Sequence, residues 1–149
     1  MWYLNPIDRL RLDALWYCER IKDPKKLAHP ADATQWQKFD GLYPEFAKDP
    51  RNVRFALSAD GMNPFGERNS THSTWPVILT IYNLPTWLCQ KRKYTMLCSL
   101  IQGPKQPGID IDVFHEPLME DKAKLWNDGV EMTDSLTMED FTLRSHYDK

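Results

Sequence analysis

Val53-Arg54-Phe55-Ala56-Leu57-Ser58-Ala59-Asp60-Gly61 decides how this chain folds. Val53, Phe55, Leu57 and Ala59 alternate with Arg54, Ala56, Ser58 and Asp60, the period-two pattern of a strand. One face is wholly apolar; the other is small and closes on a carboxylate. Gly61 and the turn-rich Asn63-Pro64-Phe65-Gly66 end the strand. An Asp at a strand end, with Gly beside it, can hold an oxygen rigidly where a metal could approach. Asp-Gly is also a common turn pair, so the residues alone leave both readings open.

Two more apolar runs follow. Trp75–Tyr82 predicts a second strand, apolar enough to be covered on both faces, with Pro76 tolerated only at its start. Asn83-Leu84-Pro85 breaks it. Trp87-Leu88-Cys89 then leads to Gln90-Lys91-Arg92-Lys93, the one strong positive cluster, suited to phosphate contact or to a solvated approach to the next strand. Tyr94–Ile101 predicts a third strand, and residues 102–108 a loop rich in Gly and Pro. Residues 111–126 predict a helix with apolar rows Phe114, Leu118, Leu125 and Met119, Ala123, Trp126. Pro117 is compatible with that helix if it falls in the first turn.

Upstream, the spacing of Ile7, Leu10, Ala14, Cys18 and Ile21 predicts a helix over 7–21, stopped by Asp23-Pro24. A second is predicted over 29–40, with a capping box between Asp32 and Gln35, an end at Gly41, and loop over 43–50. His29 has no second ligand at workable spacing and reads as a surface or hydrogen-bonded histidine. Downstream of Asn127 only Phe141, Leu143 and Tyr147 could anchor the chain. The expected fold is α+β: N-terminal helices over 1–50, a three-stranded antiparallel meander and a helix over 51–128, and a weakly structured tail over 129–149. Such a sheet leaves edges and a face that need more chain to cover them.

Length and charge bound the function. The 149 residues suit one domain or a piece of a larger one. With 19 basic and 21 acidic residues the net charge is −2, which removes a global argument for nucleic-acid binding but not a local patch. Cys18, Cys89 and Cys98 are too scattered for a disulfide framework or a zinc site and read as buried, reduced thiols. Neither a secretory signal nor a membrane span is expected.

Several blocks resemble plant CACTA (En/Spm-type) transposases, the Tnp2-like family. They are residues 51–66; Ser73-Thr74-Trp75-Pro76-Val77-Ile78-Leu79; Tyr82-Asn83-Leu84-Pro85-Thr86-Trp87-Leu88-Cys89; Lys91-Arg92-Lys93-Tyr94; Gly103-Pro104-Lys105-Gln106-Pro107-Gly108; and Asp110-Ile111-Asp112-Val113. His29-Pro30-Ala31-Asp32 and Trp36 fit as well, in collinear order across residues 25–145. The resemblance implies a cut-and-paste DNA transposase acting in the nucleus, with the first half of an RNase H-like core. In such cores carboxylates from separate elements hold two Mg²⁺ ions. Asp60 matches the first of these acids, and Asp112 is a weaker candidate ligand, better suited to helix capping. Lys91, Arg92, Lys93 and Lys105 are candidate contacts to transposon-end DNA.

The sequence departs from the family after Phe141-Thr142-Leu143-Arg144, where an apolar strand bearing the second acid is expected and Ser145-His146-Tyr147-Asp148-Lys149 stands instead. One carboxylate cannot hold two divalent ions. The reading is therefore a transposase-related fragment, inactive alone. The alternative is a non-catalytic module that binds DNA or a full-length transposase. A third, a small metal-dependent hydrolase on Asp60, Asp112 and His115, lacks any spacing that fixes its geometry.

Overall fold

The protein is described by a computed structural model covering residues 15–20, 23, 25–65, 72–108, 111–134 and 136–148. Residues 15–19 are helical; most of the helix expected over 7–21 lies outside the described residues. Pro30–Asp32 forms one 3-10 turn, followed by α1 (Thr34–Leu42) and α2 (Pro44–Lys48). The capping box sits earlier than the spacing predicts. Ala31 donates to His29 Nδ1 at 3.1 Å, and the His29 amide donates to Asp32 at 3.0 Å. Asp32 is thus the third residue of the 3-10 turn, and Ala33 precedes α1 as its N-cap without a side-chain hydrogen bond. Nor does Gly41 end α1. Leu42 completes it, and the expected loop over 43–50 is mostly α2, with Pro44 in the first position, where a missing N–H costs nothing.

The three predicted strands form: β1 (Val53–Ala59), β2 (Trp75–Ile81) and β3 (Thr95–Ile101). Between β2 and β3 lie the one-turn helix α3 (Thr86–Cys89) and a 3-10 turn over Arg92–Tyr94. β1 pairs antiparallel with β2, setting Phe55 opposite Ile81 and Leu57 opposite Leu79, and β2 pairs antiparallel with β3. Cys98 is an extra residue on β3, bulged opposite the Val77–Ile78 step. Only Val77 on β2 is fully buried; the other residues of the strand, on both faces, are half-buried.

α4 (Ile111–Asn127) follows, with Pro117 in its interior and not in its first turn, so the carbonyl of Val113 lacks its helical donor. Leu118, Met119 and Leu125 close over Phe55, Leu57 and Leu79, leaving a cavity of about 60 Å³. Phe114, expected on the apolar row, is 46% exposed.

The C-terminal stretch is not a weak tail. It forms β4 (Val130–Thr133), β5 (Asp140–Leu143) and β6 (Ser145–Asp148). β4 and β5 make a separate antiparallel pair, while β6 runs parallel to β1, giving a mixed sheet of order β3-β2-β1-β6. These strands are four residues each; β4 and β5 alternate apolar and polar residues over too short a run to stand out, β6 does not alternate, and pairing with neighbouring strands holds them. Gly129 (φ +73°) turns the chain into β4. In the β4–β5 turn, Asp134 accepts from the Leu136 amide at 3.0 Å. Arg51 reaches Asp134 (3.6 Å), stacks on Phe141 (4.0 Å) and grips Asp49, whose carboxyl it holds below the usual range.

The helical layer and the sheet meet at Arg54. Its guanidinium is buried over Trp36 (3.9 Å) and Phe39 (4.9 Å) and pairs with Asp40. Its amide donates to Asn83 Oδ1 (2.8 Å), and Asn83 Nδ2 donates to the Asn52 carbonyl (2.9 Å). Asn52 in turn donates to the Phe46 carbonyl (2.8 Å) and accepts from the Arg144 amide (2.8 Å). Two buried amides therefore tie α2, the start of β1, the end of β2 and the approach to β6. His29 is buried as well; it donates from Nε2 to the Leu84 carbonyl at 3.0 Å, which fixes its neutral tautomer.

Asn83→Ala is expected to cost about 2–3 kcal/mol, because it strands a buried N–H and a buried C=O; a lowered urea midpoint at unchanged slope would register this. Burial, with the nearby Arg20 charge, pushes the His29 imidazole below its usual range. The unfolded chain gains a proton near pH 6.5 that the folded chain refuses, so this contribution is complete above about pH 6.5 and shrinks as pH falls. Thermal melts from pH 8 to 5 are expected to lose stability more steeply for the wild type than for His29→Gln.

Candidate functional site

Asp60 stands just past the last residue of β1 and is exposed. The β1–β2 pairing resumes beyond it: Met62 and Thr74 exchange both backbone hydrogen bonds at 2.8 Å, in the register that sets Ala59 opposite Val77. In that register Asp60 faces Pro76. A proline has no N–H to give, so the ladder is interrupted beside the carboxylate.

Close packing fixes this end of the sheet. A Cβ on Gly61 would lie 2.8 Å from the Trp75 ring and 3.0 Å from Ser73 Oγ. A Cβ on Gly103 would lie 2.4 Å from the Ser73 carbonyl oxygen. The Ser73 amide donates to the Pro104 carbonyl at 3.0 Å. Asp60-Gly61, Ser73-Thr74-Trp75 and Gly103-Pro104, far apart in the sequence, thus build one tight corner, with exposed Lys105 next in the chain.

The other candidate residues are dispersed. Asp112 is exposed in the first turn of α4, where its charge complements the helix N-terminus. Asp110 lies outside the described residues. His115 is half-buried, and its Nε2 finds no partner. Among the described residues no three His, Cys, Asp or Glu side chains stand together to hold a metal ion. The donor set around Asp60 therefore does not fit a two-ion site. Of the cysteines only Cys89 is buried, donating to the carbonyls of Leu84 (3.0 Å) and Ile81 (3.1 Å); Cys98 is half-buried and Cys18 exposed.

The four cations do not form one patch. Lys91, Arg92 and Lys93 precede β3, whose first residue pairs with Thr80; Lys105 follows β3, whose last residue pairs with Trp75. The seven residues between span about 20 Å. Lys105 belongs to the Asp60 corner and the basic run to the opposite end. Charge is nonetheless segregated. Residues 72–108 hold these four cations and no Asp or Glu, whereas residues 111–140 hold nine acids and two lysines. Beside the basic run, Trp87 is 59% exposed. Its only signal in the sequence is position: Leu84, Pro85 and Cys89 around it take the buried places. No helix among the described residues is long and apolar enough to cross a membrane.

Gly103→Ala is expected to cost about 1–3 kcal/mol, since the clash is with backbone that cannot step aside. Gly41→Ala, where a Cβ meets nothing, is expected to stabilise by about 0.5–1 kcal/mol. Paired urea titrations give both signs.

No curated protein and no solved structure matches the chain. A family does, described as transposase family tnp2, over residues 24–147. That span takes in the Arg54 junction, the whole sheet up to Tyr147, the Asp60 corner and the basic run. The chain belongs to the transposase family tnp2.

Proposed function

We propose that this chain corresponds to the N-proximal part of a CACTA-type (En/Spm) cut-and-paste DNA transposase core, that Asp60 descends from its first metal-binding carboxylate, and that the chain does not cut DNA alone. The observation that carries the reading is the isolation of Asp60. It sits at the end of the first strand, in a corner built with unusual closeness, yet it belongs to no group of three or more metal-binding side chains among the described residues. The sheet order supports the RNase H-like assignment: a meander, a helix, then a strand laid parallel beside β1. Two-ion phosphoryl transfer needs several oxygen donors to offset the repulsion between the cations, and a single carboxylate does not supply them. The role implies a nuclear protein of plant origin.

The acid-free stretch over residues 72–108 favours a second reading for the same chain, in which it still engages transposon-end DNA or a full-length transposase without catalysis.

Purified protein incubated with Mg²⁺ or Mn²⁺ and labelled element-end DNA is expected to give no nicked or joined product above the Asp60→Ala control. Cleavage that Asp60→Ala abolishes would overturn the proposal of inactivity.

A further inference from the structure

We propose that the tip formed by Trp87, Lys91, Arg92 and Lys93 binds unpaired DNA, with the Trp87 indole stacking on a base and the cations following the backbone. This rests on the DNA-engaging reading above and adds which form of DNA is bound and by which side chain.

Four observations carry it. Trp87 is 59% exposed, although the turn that bears it is firmly anchored: Leu84 is fully buried and Pro85 is buried with it, and Cys89 donates to two backbone carbonyls. The indole is therefore presented and not merely unpacked. Trp16 braces it from one side, with ring centroids 5.1 Å apart at 74°, which limits the rotamer freedom a stacking ligand would otherwise have to remove. The basic run follows at once and is held close by two local hydrogen bonds, from the Lys91 amide to the Leu88 carbonyl (2.9 Å) and from the Tyr94 amide to the Lys91 carbonyl (2.8 Å). Finally, no acid occurs anywhere in residues 72–108, so nothing in the sequence of this limb repels a phosphate.

An exposed aromatic beside consecutive cations is what an unpaired strand needs. Every base offers a π-face, and each phosphate offers a charge. A duplex hides the base faces in its stack and would use the cations alone. At the ends of a mobile element, such unpaired nucleotides arise when strands are parted or cut.

Fluorescence anisotropy of the full chain tests this with labelled oligothymidine of about 16 nucleotides and a duplex of equal length, titrated between about 50 and 200 mM salt. The single strand is expected to bind more tightly than the duplex. Trp87→Ala is expected to weaken it roughly tenfold or more while leaving the salt slope unchanged. Replacing Lys91, Arg92 and Lys93 by Ala is expected to flatten that slope by about 2. Trp87→Leu, which still packs on Trp16, must behave like Trp87→Ala, and Trp87→Phe must restore most of the affinity; circular dichroism confirms that each variant is folded. Preference for the duplex, or full affinity in both Trp87→Ala and Trp87→Leu, overturns the stacking inference and leaves the DNA-engaging reading standing. Tighter binding of oligouridine than of oligothymidine also overturns it, by making RNA the ligand. Absence of binding to either DNA at the lowest salt overturns both.

Discussion

A buried guanidinium organises this molecule. Arg54 sits on the strand face that the sequence pattern assigns to small residues, and a charge there is tolerated because aromatic faces and a carboxylate surround it, although its buried Nε finds no hydrogen-bond acceptor. Trp36 and Phe39 offer their ring faces, Asp40 offers a carboxylate, and Asn83 satisfies the backbone amide. A desolvated cation over an aromatic ring is worth about 2 kcal/mol, whereas an uncompensated one costs several. The helical layer must therefore settle in one position on the sheet. The Asn52–Asn83 pair repeats the device with neutral groups and passes the constraint on to Arg144 and β6.

Much of what resembles a family signature in this sequence turns out to have mechanical work. Asn83 bridges strands, Leu84 fills the centre, Cys89 hangs on two carbonyls, and Gly61 and Gly103 give room to Trp75 and Ser73. His29, in the same family-like blocks, holds the Leu84 carbonyl. Asp60, Trp87 and the cations from Lys91 to Lys93 are different: all are exposed, with Trp87 edge-on to Trp16 and the Lys93 ammonium over the Tyr94 ring. The residues that make the family recognisable thus divide into a scaffold and a small exposed remainder, and only the remainder is free for chemistry or binding.

The meander was legible because its three strands carry dense apolar patterns, and each formed within one residue of the expected limits. α4 was legible for the same reason, except that a 17-residue helix with apolar packing on one side absorbs Pro117 internally. The C-terminal strands were missed: β4 and β5 alternate apolar and polar residues, but over only four positions each, and β6 does not alternate at all. Ser145-His146-Tyr147-Asp148 has no amphipathic period, and only the open edge of β1 makes it a strand. The capping box eluded the spacing rule because a histidine ring nitrogen, not a carboxylate, accepts the amide. At the candidate site, sequence located Asp60 at a strand end. The predicted strand over Tyr94–Ile101 already separates Lys105 from the basic run, and the observed β3 places them at its opposite ends, so the four cations do not act as one patch.

The bulge at Cys98 bears on what the open edge of β3 can recruit. β3 is an outer strand of seven residues without a charge or a proline, and Leu97 and Leu100 are exposed on it. A smooth strand of that kind would recruit any neighbour of similar composition, layer upon layer. The additional residue puts the outward hydrogen-bonding groups out of step halfway along, so an incoming chain finds matched partners only over Thr95–Leu97 or Ser99–Ile101. Runs of three are too short to seed a growing stack, so geometry guards this edge where no charge does.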